Sequence, residues 1–156
     1  TLKELIEFNK NDSVELRFFD QQLLELAAEK GTLESDEYRK SLAHMQKMTR
    51  EEGIDKVMNE NNLDALIAPT GSPAWKTDLI NGDNFLGSSS SYAAISGYPN
   101  ITVPMGFIGE LPVGVSIFGR AWSEAELLGI AYAFEQGTKH RKAPEYLNSF
   151  RFRKRK

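Results

Sequence analysis

The sharpest constraint on the fold is the point at which the hydrophobic period changes. Up to Asn61-Asn62 apolar residues recur at helical spacing, whereas beyond it they come as short runs or in strict alternation. Such a chain packs helices on a sheet, the α/β class. Thr1-Leu2-Lys3-Glu4 has the form of a capping box, in which a hydroxyl and a carboxylate satisfy free amides at a helix start, and predicts a short helix to about Phe8. Leu23, Leu24, Ala27 and Ala28 predict a second helix over 21–30, with Gly31 available for a left-handed stop. A third, over 36–59, carries the stripe Tyr38, Leu42, Met45 and Met48, its methionines read as core filling, while Arg39, Lys40, Lys47, Arg50, Glu51 and Glu52 are read as solvated.

The second half reads as strands. Ala65-Leu66-Ile67-Ala68, closed by Pro69, predicts a buried strand. The segment 70–87, rich in Gly, Pro, Asp and Asn, is a loop long enough to suggest a functional one. Serines 88–91 then supply an N-cap and spacer for a short helix over 92–96, ended by Gly97 and kept from continuing by Pro99. Ile101, Val103 and Met105 alternate with Thr102 and Pro104, as Val113, Val115 and Ile117 alternate with Gly114 and Ser116, which predicts two paired strands. Pro104 removes a ladder donor and places its strand at an edge or end. Ser123-Glu124-Ala125-Glu126 reads as a second capping box, opening a helix that is apolar around most of its circumference. Such a helix needs cover on more than one side, from a second copy of the chain or from a part of the fold outside it. The expected architecture is helices packed on a small, mixed β-sheet that is a section of a larger one.

With 156 residues, 40% of them hydrophobic, the chain has enough apolar material for one domain, assigned to 1–150. Five of its 19 basic residues fall in the tail 151–156, expected to be disordered, so the body carries 14 basic against 22 acidic residues. There is no cysteine, hence no disulfide, thiolate nucleophile or thiolate metal site, which fits a reducing cytoplasm. No run is apolar and long enough to enter a membrane. The opening at Thr1 rather than a methionine suggests processing or a piece of something longer.

Four blocks in order carry a specific resemblance: Asp64-Ala-Leu-Ile-Ala-Pro-Thr70, Ser96-Gly-Tyr-Pro-Asn-Ile-Thr-Val-Pro-Met-Gly106, Leu111-Pro-Val-Gly-Val-Ser-Ile-Phe-Gly-Arg120, and Ser123-Glu followed by an apolar helix through Glu135-Gln136. Together they resemble the closing segment of amidase-signature enzymes, most closely over 63–144. The resemblance implies a C-terminal section of that family's larger α/β/α fold. It also implies hydrolysis of a carboxamide by a serine nucleophile, a bridging serine on a cis peptide bond and a lysine base. A serine hydroxyl attacks poorly until a neighbour takes its proton, and burial lowers a lysine pKa enough to do so. In the family these groups lie upstream, in a Gly/Ser-rich signature this chain does not show. No catalytic residue is therefore assigned here, and the chain alone is expected to be inactive.

Substitutes within the chain fare poorly. Gly87-Ser88-Ser89-Ser90-Ser91 has no following glycine to open a backbone nest and leads directly into an apolar helix. His44 and His140 are the only histidines, one on a charged helix and one in a polar turn; both read as surface residues. Neither a metal nor a cofactor is expected. The basic tail, with only Phe150 and Phe152 beside it, is read as solvated and not as a nucleic-acid platform. The loop 70–87 is the candidate for substrate selection, with Trp75 and Phe85 lining an apolar pocket and Asn84, Asp78 and Asp83 supplying polar contacts.

The implied partners are an upstream N-terminal half of the same enzyme and a small-molecule amide, with a homodimer as an option. Two other readings stand beside the hydrolase: a non-catalytic subunit or interaction module, and a subunit of amidotransferase type that works on aminoacyl-tRNA.

Overall fold

In the computed structural model, which describes residues 1–144 and Tyr146, the change of period separates a helical arm from a sheet. The Thr1 hydroxyl accepts from the Glu4 amide while the Glu4 carboxylate accepts from the terminal amine, so the first capping box forms and opens α1 (Leu2–Asn11). Before α2 (Gln22–Ala28), the buried Gln21 amide donates to the Ile6 carbonyl at 3.1 Å and its oxygen accepts from Asn9 Nδ2 at 3.0 Å. One side chain thereby ties the two helices together. Gly31 does not end α2. The cap is Glu29 in the right-handed region, because the Glu29 and Lys30 amides turn back onto the Glu25 and Ala27 carbonyls.

The single helix predicted over 36–59 is three pieces. Helix α3 (Asp36–Thr49) runs into a π-helical turn, Arg50–Ile54, and continues as α4 (Asp55–Glu60). Gly53, at φ −112° and ψ −106°, makes the break. A side chain there would place its Cβ 2.8 Å from the Met48 carbonyl oxygen, so glycine is a steric requirement of the kink. The methionines are not core filling: Met45 and Met48 are 39% and 50% exposed, on a helix none of whose residues is buried.

Strands β1 (Leu66–Pro69), β2 (Asn100–Ile108) and β3 (Leu111–Phe118) form one sheet in the order β1-β3-β2. Both pairings are antiparallel, so the sheet expected to be mixed is, among the described residues, wholly antiparallel. Strand β1 is an edge and not a buried strand, with Ile67 71% exposed. Strand β2 is the other edge, as Pro104 requires, and Met105 bulges out of register between the pairs Pro104–Gly114 and Gly106–Val113.

Alternation gives the sheet two apolar faces. Val103, Val115 and Ile117 pack on Leu127 and Ala131 of α6 (Glu124–Thr138). On the opposite face Phe118 packs with Ile54, Met58 and Ala93, the last from α5 (Ser90–Ser96). Ile117 and Leu127 are nearly inaccessible, and burial of each contributes about 1.5–3 kcal/mol. Gly97 ends α5 as predicted, left-handed at φ 71°. Two caps differ from expectation. Ser123 precedes α6 but its hydroxyl donates to the Arg120 carbonyl at 2.7 Å, so the second capping box does not form. Ser89 precedes α5 without a side-chain cap bond.

The outer side of α6 is open, with Leu128 57% and Tyr132 65% exposed. Among the described residues no helix is long and apolar enough to cross a membrane. The tail 151–156 lies outside the described residues.

Candidate functional site

Antiparallel register aligns Ala68, Ser116 and Thr102 in one row across the α5 side of the sheet. Just past β1, Thr70 joins them. Its hydroxyl lies 2.9 Å from Ser116 Oγ and 3.4 Å from Thr102 Oγ1, and the last two are 3.2 Å apart, so three hydroxyls form a closed triangle. Ser116 is buried, and the mutual bonds are what make that tolerable. The neighbouring Gly114 keeps the triangle open, since a Cβ there would meet Thr102 Cγ2 at 2.8 Å and Thr70 Oγ1 at 2.9 Å.

The same threonine anchors the long loop. The Thr70 amide donates to the Gly114 carbonyl at 2.8 Å, and the Thr70 carbonyl accepts from the Ser89 amide at 3.2 Å. Gly71 and Ser88 form an isolated antiparallel bridge. The loop therefore leaves and re-enters the sheet through one narrow neck. At its tip Asp78 accepts from the Ile80 and Asn81 amides, both at 2.9 Å, and from Asn81 Nδ2 at 3.0 Å. These bonds, the Asn81 amide foremost, hold its carboxyl below the usual range.

Trp75, Phe85 and Asn84 all fall at this tip. The Trp75 and Phe85 rings meet edge to face at 6.0 Å. Trp75 and Asn84 line an open cavity of about 590 Å³ with Asp78 and Ile80, and Phe85 backs the tryptophan from outside that lining. Trp75 is 40% and Phe85 62% exposed, so the pair is a projecting aromatic surface and not an enclosed pocket.

Around Gly97-Tyr98-Pro99 the structure assembles a cluster the sequence did not reveal. Arg50, in the π-helical turn and read as a solvated charge, donates through Nε to the Ser96 carbonyl at 2.6 Å, and its guanidinium lies over the Tyr98 ring at 5.7 Å. The Tyr98 hydroxyl donates to Asp55 Oδ2 at 2.7 Å. Burial, then the bond to Asp55, pushes the phenol up to about 12. The arginine and the aspartate thus clamp the end of α5 from both sides of the kink.

The serine run serves local structure: Ser88 Oγ accepts from the Ser90 amide at 3.1 Å and lies 2.8 Å from Ser90 Oγ. His44 and His140 are exposed. Among the described residues no group of three or more His, Asp or Glu is placed to hold a metal ion.

Comparison with known proteins decides the family. The Amidase family model matches residues 3–128, from α1 through the start of α6. The chain belongs to the amidase family. A probable amidase of Arabidopsis thaliana is 33% identical over 151 residues, 94% of this chain and 26% of the relative. Native peptide amidase from Stenotrophomonas maltophilia superimposes with a TM-score of 0.83 at 41% identity, over 94% of this chain and 29% of that one. A glutamyl-tRNA(Gln) amidotransferase chain of Legionella pneumophila is 35% identical over 61% of this chain and 21% of its own length. As an amidase chain, the protein thus spans between a fifth and a third of the length of these relatives.

Proposed function

We propose that this chain is the C-terminal part of a serine amidase that hydrolyses carboxamide C–N bonds, with the nucleophilic serine, bridging serine and lysine base supplied by an upstream half. The observation carrying this reading is the near-complete overlay, over 94% of the chain, on less than a third of a peptide amidase. The upstream half supplies the chemistry, while this chain supplies a braced sheet, the clamped Gly97-Tyr98-Pro99 turn and the loop 70–87. A small-molecule amide is the substrate, and the exposed outer side of α6 is covered by the upstream half in preference to a second copy of the chain. The cytoplasm is the proposed compartment, in keeping with the cysteine-free composition.

The test uses the full-length enzyme, treated with a fluorophosphonate and digested for mass spectrometry, alongside ammonia release from a peptide C-terminal amide. An adduct on a serine upstream of Thr1 together with ammonia release is the expected result. An adduct on one of the serines 88–91, or no ammonia from any amide, overturns it.

A role as an amidotransferase-type subunit is the second reading, favoured by the Legionella relative, which covers 61% of the chain against 94% for the probable amidase. Ammonia passed to an acyl acceptor instead of released to water would mark it. Within the hydrolase reading, Trp75, Phe85 and Asn84 contact substrate. Trp75→Ala and Phe85→Ala in the full-length enzyme should each raise KM or change substrate preference by about ten-fold with little change in thermal stability, the scale of a lost apolar contact. Unchanged kinetics in both variants removes this assignment.

A further inference from the structure

The turn between β3 and α6 lies at the end of the sheet away from Thr70, since Phe118 pairs with Leu66 while the Thr70 amide bonds to Gly114. It is tightly held. The Ser123 amide and hydroxyl both donate to the Arg120 carbonyl, at 3.3 and 2.7 Å, and Arg120 Nη2 donates to Asn59 Oδ1 at 2.7 Å, which pins the turn to the end of α4. A Cβ on Gly119 would meet Ser123 Oγ at 3.0 Å and Leu127 Cδ2 at 3.3 Å, so little slack is left at its base.

Within this turn stands Trp122, left-handed at φ 65° and 91% exposed. Asn62 and Lys139 are left-handed too, but each follows a helix, where that conformation is ordinary. Trp122 precedes one. Left-handed backbone is unfavourable for a bulky side chain, and a glycine would hold the same turn without the strain. Strain and a stranded indole at one residue have a single explanation if the pinned turn holds the ring out, at a fixed angle, for a partner to close over it. Tryptophan is among the side chains that most often anchor such contacts.

The surroundings select the partner. More than two-thirds of the peptide amidase that this chain overlays has no counterpart here. The helix that the turn opens is itself apolar and open on its outer side, at Leu128 and Tyr132, so Trp122 extends a surface already assigned to the upstream half. We infer that Trp122 anchors the upstream half to this end of the sheet, seated in an apolar pocket of that half with one acceptor for the indole N–H. The inference rests on the reading that an upstream half completes the enzyme. It gives Trp122 a part in assembly and none in substrate binding, from which the whole length of the strands separates it.

The test labels the full-length enzyme with a ring-fluorinated tryptophan and follows it by fluorine NMR, the resonance lost in Trp122→Phe being that of Trp122. That resonance should stay in place when water is exchanged for deuterium oxide. A shift like that of the free amino acid overturns the inference, and so does shielding seen only at concentrations where the enzyme sediments as a dimer, because the occupant is then a second copy. Glycine gives an independent sign. On a tryptophan facing solvent, Trp122→Gly relieves the backbone and leaves the urea midpoint unchanged or higher, whereas on a seated one the midpoint falls, which is the expected result. KM for a peptide C-terminal amide should be the same in wild type and Trp122→Phe, and a raised KM at an unchanged midpoint overturns the inference by making the residue a substrate contact. Should Trp122→Gly not fold, the fluorine resonance decides alone. Wild-type enzyme that releases no ammonia from any amide would instead overturn the amidase reading, whatever the environment of Trp122.

Discussion

At the scale of single residues, Gly114 and Tyr98 matter for opposite reasons. Gly114 is needed for what it lacks. Gly114→Ala forces a methyl against Thr102 and Thr70, the two threonines of the hydroxyl triangle, and should destabilise the full-length enzyme by about 1–3 kcal/mol in denaturant unfolding. An unchanged midpoint would show that the triangle gives way without cost. Tyr98 is needed for its proton. Its folded pKa, about 12, lies above that of an unfolded tyrosine, so its contribution is complete below pH ~10 and is lost as pH rises through about 12. The stability gap between wild type and Tyr98→Phe should therefore narrow between pH 10 and 12, and a gap independent of pH contradicts the role given to Asp55. Neither the hydroxyl triangle beside Gly114 nor the partner of Tyr98 was legible in the sequence. Thr70 reaches Ser116 across 46 positions and Tyr98 reaches Asp55 across 43, distances at which local patterning carries no information.

Among the elements, those settled by local chemistry were the legible ones. The hairpin β2–β3 follows from period-two alternation, α5 from its glycine stop, and α1 from a capping box whose two partners are three residues apart. Tertiary partners defeated the other expectations. The α3–α4 break was missed because a lone glycine inside a helical pattern is ordinarily tolerated, and nothing local tells that Gly53 is pressed against the Met48 carbonyl; the apolar stripe on α3 looked like core because periodicity does not say whether a face is covered. At the second capping box Ser123 had a competing acceptor in the Arg120 carbonyl. Gly53→Ala tests the break. With a Cβ 2.8 Å from a backbone oxygen that cannot rotate away, the variant should lose at least about 1–3 kcal/mol in urea unfolding of the full-length enzyme. A neutral result would mean that the π-helical turn relaxes into regular helix at no cost.

At the scale of the whole molecule, apolar surface is open on the outer side of α6, at Leu128 and Tyr132, and at Ile67 of β1, as it is along the α3 stripe and at the tip of the loop. The family was legible because its blocks sit on the sheet and its turns, whose geometry demands particular residues. The arrangement of the loop 70–87, proposed to contact substrate, was less so, since that loop bonds mostly to itself. If the upstream half packs on α6, Leu128→Asp should lower the stability of the full-length enzyme by about 3 kcal/mol or more, as a buried unpaired charge does. A change within about 0.5 kcal/mol, the scale of a surface substitution, would leave that side facing solvent.

The neck formed by Thr70, Gly71, Ser88 and Ser89 has an evolutionary consequence. Everything between its two sides is joined to the sheet at one place and held together by its own aromatic pair and aspartate turn. Lengthening or replacing such a segment costs little chain entropy and leaves the strands in register. The stretch is a cassette: a graft from another amidase that keeps the four neck residues should fold on this sheet and carry its donor's preferences with it.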